Sequence, residues 1–249
     1  MKKTLLICGA LLMFAAPAFS TGFINMMWVD CPLGPGFVNV SNTCTSNGPA
    51  PAGTLVTSFG PPVDMPLFLG CAGVIDLQTS AVALSPWWHM ETGGCRAGKI
   101  SFSADFTLGP FSCIDPWGGL ASGGIDYATP SPGLLTANSA RIRTLQAVGT
   151  PVPITVLDGL GNTNEYYAFK VTISKALSTS VGSCAGCLDK ACFVFNSLRL
   201  SQPAPVPDKV VTSGPQQYTT YNLGTGTAVC PHDTPTRRST WGSVKSLYR

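Results

Sequence analysis

KISFSADFTL, residues 99–108, alternates without a break. Ile100, Phe102, Ala104, Phe106 and Leu108 fall on one side of an extended chain, and Ser101, Ser103, Asp105 and Thr107 on the other. A period of two marks a strand with one buried and one wet face. Strands of that kind belong to antiparallel sheets packed in layers. Neighbouring stretches are short runs of β-branched and aromatic residues, several of them alternating: FINMMWV (23–29), GTLVTSF (53–59), GVIDLQT (73–79), ARIRTLQAV (140–148), EYYAFKVTIS (165–174) and CFVFNSLRL (192–200). In ARIRTLQAV, Arg141 and Arg143 are expected outside, with Ile142 and, less regularly, Leu145 inside. Between these runs lie segments dense in Gly, Pro and Asn, such as PLGPGFVNVSNTCTSNGPAPAG and DPWGGLASGGIDYATPSPG, which cannot be helices. Short β-rich runs separated by turn clusters give an all-β fold, an antiparallel β-sandwich of jelly-roll type.

The N-terminus reads MKKTLLICGALLMFAAPAFS. Lys2 and Lys3 precede an apolar run from Leu5 to Ala16, and Ala18 and Ser20 offer the small residues of a cleavage site. The expectation is a signal peptide over residues 1–20, with a mature chain beginning near Thr21 that carries no transmembrane segment. The protein is then secreted: extracellular, periplasmic or attached to the cell surface. The remaining chain divides into a β-sandwich domain (21–200), a Pro-rich linker SQPAPVPD (201–208), and a C-terminal part (209–249). In that last part KVVTSG and QQYTTYNLG read as a hairpin or a final pair of strands, ahead of a basic amphipathic tail. The tail RRSTWGSVKSLYR spaces Trp241, Val244, Leu247 and Tyr248 three and four apart, which predicts a short helix over Thr240–Tyr248.

Charge is scarce, 11% against a usual ~25%. Losing Lys2 and Lys3 lowers the net from +3 to +1, and the tail from His232 is itself +3. The body is then slightly acidic and has no basic stripe, so nucleic acid is not expected as a partner.

Of ten cysteines, Cys8 leaves with the signal peptide. In an exported chain the rest default to disulfides. Cys31 and Cys44 bracket one irregular loop, and Cys95 and Cys113 bracket the 99–108 strand, so the spacing predicts the pairs Cys31–Cys44 and Cys95–Cys113. Cys184, Cys187, Cys192 and Cys230 form a second group of open connectivity, a staple at the base of a hairpin. Cys71 is the odd thiol, expected free. Two alternatives compete for the second group. Zinc could take these thiolates or His232, but the second knuckle is only CPHD. A redox CAGC would need to open a helix in a βαβ setting, and this one lies between strands. No metal site is expected.

LSPWWHMETGGC (84–95) is the one stretch suggesting a ligand. If extended, Trp87 and Trp88 point to opposite faces, leaving one ring exposed as a platform for a sugar, with His89 beside it. The plainer reading has both rings plugging one end of the sandwich. A catalytic centre would need His89 near a carboxylate such as Glu91 or Asp115. Ser122, in GLASGG, lacks the spacing of a nucleophile elbow. No catalytic residue is assigned, and no motif implies a cofactor.

Taken together, WVDC, SPWWHMETGGCR, GSCAGCLDKACFVFNSLRL and the terminal TWGSVKSLYR resemble a group of secreted proteins of environmental bacteria with no assigned activity. The resemblance implies an exported β-fold with paired cysteines and the same tail; Cys71 departs from that frame. The expected function is a non-catalytic extracellular or surface-associated binding or structural domain, its partner a polysaccharide or surface protein. A hydrolase acting on an extracellular polymer is the alternative.

Overall fold

The computed structural model describes residues 22–130, 136–148, 154–158 and 163–223. Their strands, in chain order, are β1 (Phe23–Trp28), β2 (Asn39–Val40), β3 (Gly53–Gly60), β4 (Met65–Phe68), β5 (Gly70–Thr79), β6 (Ile100–Ser103) and β7 (Ala121–Ala128). Then follow β8 (Ser139–Val148), β9 (Ile154–Val156), β10 (Tyr166–Ile173), β11 (Ala191–Ser201), β12 (Lys209–Val211) and β13 (Tyr218–Tyr221). The only regular helix among the described residues is a 3-10 turn at Pro86–Trp88.

Two sheets make the body. One runs β1-β3-β10-β6; the other runs β2-β13-β11-β5-β8-β7, with β12 also on β11. Every ladder is antiparallel except the short β2–β13 pair. A small β4–β9 sheet stands apart. The layers meet through aromatic rings: Trp28 is edge-on to Phe193 at 5.5 Å, and Phe169 to Phe195 at 5.8 Å. Such pairs add ~0.5–1.5 kcal/mol beyond the area they bury. Gly73 is needed at this junction, because a Cβ there would sit 2.6 Å from the Phe169 ring. Gln146 also spans the layers, donating from Nε2 to the Ala168 carbonyl at 2.5 Å. On one side the sheets are stitched together, as β1 donates from Ile24 N to Ser213 O and from Met26 N to Gln216 O. On the other side β6 and β7 lie next to each other without pairing.

The sandwich expected from the alternating runs is present, with local departures. Only Ile100–Ser103 of the 99–108 run is strand. Beyond it Asp105 Oδ1 accepts from Thr107 N and Oγ1, closing a turn that leaves Leu108 93% exposed. Phe106 is buried all the same, stacked on Tyr167 at 4.3 Å. The Gly-rich segment after Pro116 contains β7, a strand its composition hid. Leu145 faces out, while Thr144 and Gln146 are buried.

The strands after the Pro-rich segment rejoin the body. β12 pairs with Leu198–Leu200 and β13 with Ala191–Val194, both on the side of β11 away from β5. They lie end to end along β11, so the C-terminal part is no separate hairpin, and Tyr221 is wholly buried. The signal-peptide segment and the expected tail helix lie outside the described residues.

Candidate functional site

The Trp87–Trp88 pair sits in the 3-10 turn, not in an extended strand. Pro86 opens the turn, where its missing N–H costs nothing. Adjacent residues of such a turn do not diverge to opposite faces, and both rings turn inward. Trp87 and Trp88 meet at 4.7 Å, and Tyr221 lies 5.5 and 5.2 Å from them. Both indoles are 0% exposed, so neither offers a stacking platform; the sugar-platform reading is overturned and the plug reading stands.

Arg96 completes this cluster. Its guanidinium lies 3.6 Å over the Trp87 ring and donates to three carbonyls, Ala176 O, Trp87 O and Ser174 O. Burial lowers its pKa to about 10. The side chain thus ties the 86–88 turn to the 174–176 segment.

His89 is one-third exposed, and its Nδ1 lies 2.6 Å from Glu91 Oε1. This is the carboxylate neighbour that a catalytic reading required. Its Nε2 lies 3.3 Å from the Leu84 carbonyl. Both ring nitrogens therefore lie within hydrogen-bond distance of an oxygen. Asp115 instead accepts from Trp117 N at 2.9 Å.

The disulfides correct the expected pairing. They are Cys31–Cys113, Cys44–Cys187 and Cys95–Cys184, closing separations of 82, 143 and 89 residues. Neither Cys31–Cys44 nor Cys95–Cys113 forms. The reason is spatial: loops far apart in sequence meet at two places. At one, Cys31–Cys113 joins loops that also share the Ser112 Oγ to Asp30 Oδ2 bond at 2.6 Å. At the other, the segments around Cys44, Cys95 and 174–190 converge on the tryptophan turn, where Asn47 Oδ1 accepts from Ser178 N and Trp87 N donates to Ala185 O. Cys184 and Cys187 thus bond outside their own group, which removes them as thiolate ligands or as a redox pair. Cys192 is disulfide-bonded as well, and Cys230 lies outside the described residues. Cys71 is free and fully buried, and burial pushes its thiol pKa up. Among the described residues no group of three His, Cys, Asp or Glu side chains could hold a metal ion. No helix among them is long and apolar enough to cross a membrane.

Sequence reasoning missed one open feature. On the outer face of the seven-stranded sheet, β7, β8, β5 and β11 form a groove of about 700 Å³. Its rows follow from the register. Gly124, Leu145, Ala72 and Arg199 stand side by side, and beside them run Ser122, Ala147, Gly70 and Ser201. Leu145, 60% exposed, therefore rises from a floor of glycine, alanine and serine. The flanks are charged: Arg143 reaches Asp126 at 3.4 Å, and Arg199 reaches Asp208 at 3.6 Å. A signal was available, since strict alternation from Arg141 and Arg143 puts Leu145 and Ala147 outside.

No protein-family model, curated protein or solved structure matches the chain.

Proposed function

We propose that this is an exported, non-catalytic binding or structural β-domain whose binding face is the outer surface of the seven-stranded sheet. The observation that carries the reading is Leu145: a large apolar side chain exposed over small residues, between two ion pairs. Exposed apolar surface rimmed by charge is the usual character of a docking site. A flat floor suits an extended partner, a polysaccharide chain or a segment of a surface protein. The disulfides suit a chain working in an oxidising compartment.

The test is Leu145→Asp. The mature protein is screened against polysaccharides, cells and surface proteins, and each binder is titrated with the variant. The variant is expected to melt like the wild type and to bind at least tenfold more weakly, as for an interface anchor. Binding that is unchanged in Leu145→Asp removes the groove from the reading.

One observation favours a hydrolase as the second reading, the His89–Glu91 contact at 2.6 Å on a part-exposed turn. It requires that some extracellular polymer be cleaved by the wild type and left intact by both His89→Gln and Glu91→Gln, with both variants folded. Cleavage that survives either substitution disposes of this reading.

A further inference from the structure

β7 is the terminal strand of the seven-stranded sheet. All eight of its residues pair with β8, and among the described residues none of its backbone groups bonds on the other side. A long, open edge of this kind recruits another strand unless something guards it. β6 lies alongside without pairing to it, and the guards usual within the strand itself are missing. β7 has no proline and no lysine, and its one charge, Asp126, is drawn onto the sheet face by Arg143. Ser122, Gly123 and Gly124 are exposed.

The sequence of β7 is complementary to itself. Laid antiparallel on a second copy about Gly124, it sets Gly123 opposite Ile125, Ser122 opposite Asp126 and Ala121 opposite Tyr127. Each large side chain then meets a small one, and each carboxylate meets a hydroxyl that can donate to it. Directly opposed pairs of this kind are what stabilise a sheet. Parity holds as well: Ser122, Gly124 and Asp126 share the outer face with Leu145, so the grooves of the two copies join over the paired glycines. No other register about a residue of β7 keeps Asp126 opposite a hydroxyl.

We infer that the chain forms a two-fold dimer through β7, pairing edge to edge and continuing the seven-stranded sheet from one copy into the other. This does not depend on what the groove binds.

Gly124 allows a clean test. A Cβ added there meets nothing within 4 Å and its φ is not in the left-handed region, so Gly124→Lys leaves the single chain undisturbed. In the dimer it places two like charges on the symmetry axis. Ser122→Lys does the opposite, setting a cation against Asp126 of the other copy. Sedimentation velocity of the mature chain over about 1–100 μM covers the affinity expected of a modest interface. The wild type should pass from monomer to dimer in this range. Gly124→Lys should stay monomeric with an unchanged melting temperature. Ser122→Lys should tighten the dimer by about fivefold, the worth of two exposed ion pairs. A wild type that stays monomeric overturns the proposal, and so does a dimer that survives Gly124→Lys. A monomeric wild type that captures a foreign extended segment, sensitive to Gly124→Lys, gives the edge to another partner and also overturns it.

Discussion

Replacing Arg96 weighs a buried charge against the bonds it makes. The wild-type side chain is 0% exposed, and its three acceptor carbonyls have no other backbone donor among the described residues. Arg96→Met keeps much of the volume and removes the fork. Three carbonyls lose their donors, about 3 kcal/mol in all at the low end of such penalties. The stacking over Trp87 is lost too, about 2 kcal/mol for a desolvated cation on an indole. Against this stands relief. A pKa lowered to about 10 means that burial disfavours the cation, on the order of 3 kcal/mol. The balance is a net loss of about 2 kcal/mol. Arg96→Lys separates charge from shape. An ammonium is harder to desolvate than a guanidinium and cannot reach three carbonyls in one plane. Lysine should therefore be no better than methionine, although it keeps the charge. Urea unfolding at neutral pH with the disulfides intact measures both variants. Near-UV circular dichroism reports whether the tryptophan cluster survives. If Arg96→Met is as stable as the wild type, or Arg96→Lys restores stability lost in Arg96→Met, the fork is not what holds the turn.

The disulfide pattern and the buried tyrosines give two further predictions. Cys71 is the only free cysteine among the described residues, and its thiol is buried; the native mature protein should show no reactive thiol and the unfolded, unreduced protein should show one. Peptide mapping should return the three long-range pairs with Cys192 also bridged, and a Cys31–Cys44 peptide would refute the pattern. Stability should also fall as pH rises above about 10. Burial raises the pKa of Tyr127, Tyr167 and Tyr221, the last to about 12, whereas in the unfolded chain these phenols ionise near 10. The folded form then binds more protons, so this stability is whole below about 10 and is lost as pH climbs through the folded values. Arg96 acts in the opposite sense, since its lowered pKa relieves a penalty as pH rises, but it is one group against three. A melting temperature that stays flat or rises between about pH 9 and 11 would contradict the burial of these phenols.

The layers were legible because strand signals are local: β8 carries period-two alternation, and β1, β3, β10 and β11 are short β-branched and aromatic runs between turn clusters. β7 was not, because its sequence ASGGIDYA reads as turn chemistry. Its strand state comes from the eight-residue ladder to β8, a tertiary effect overriding propensity. The disulfide partners were hidden for a related reason. Spacing along the chain shows which cysteines bracket a loop, but not which end of the sandwich the loop covers. Closing a long loop adds only slightly more entropy cost than closing a short one, so proximity in sequence is a weak guide. The tryptophans misled through one assumption, that SPWWHM is extended. Pro86 at the head of a 3-10 turn was the clue against it.

Leu145 shows how a rigid geometric rule outranks a hydrophobicity preference. A strand cannot turn one side chain without turning its neighbours, so with Arg141 and Arg143 outside, Leu145 must be outside and Thr144 and Gln146 inside. The buried polar pair is the cost of that register. Thr144 Oγ1 meets it by accepting from Gly73 N at 3.3 Å, and Gln146 by donating across the layers to Ala168 O. Gln146 Oε1, however, is buried without a partner among the described residues. A sequence shaped only for stability would place leucine inside and glutamine outside. This one does the reverse on the strand beside the open edge, over a floor kept small by Gly70, Ala72 and Gly124. That inversion is the physical ground for proposing a binding face on the outer sheet rather than at the tryptophan turn, where every large ring is already consumed by the fold.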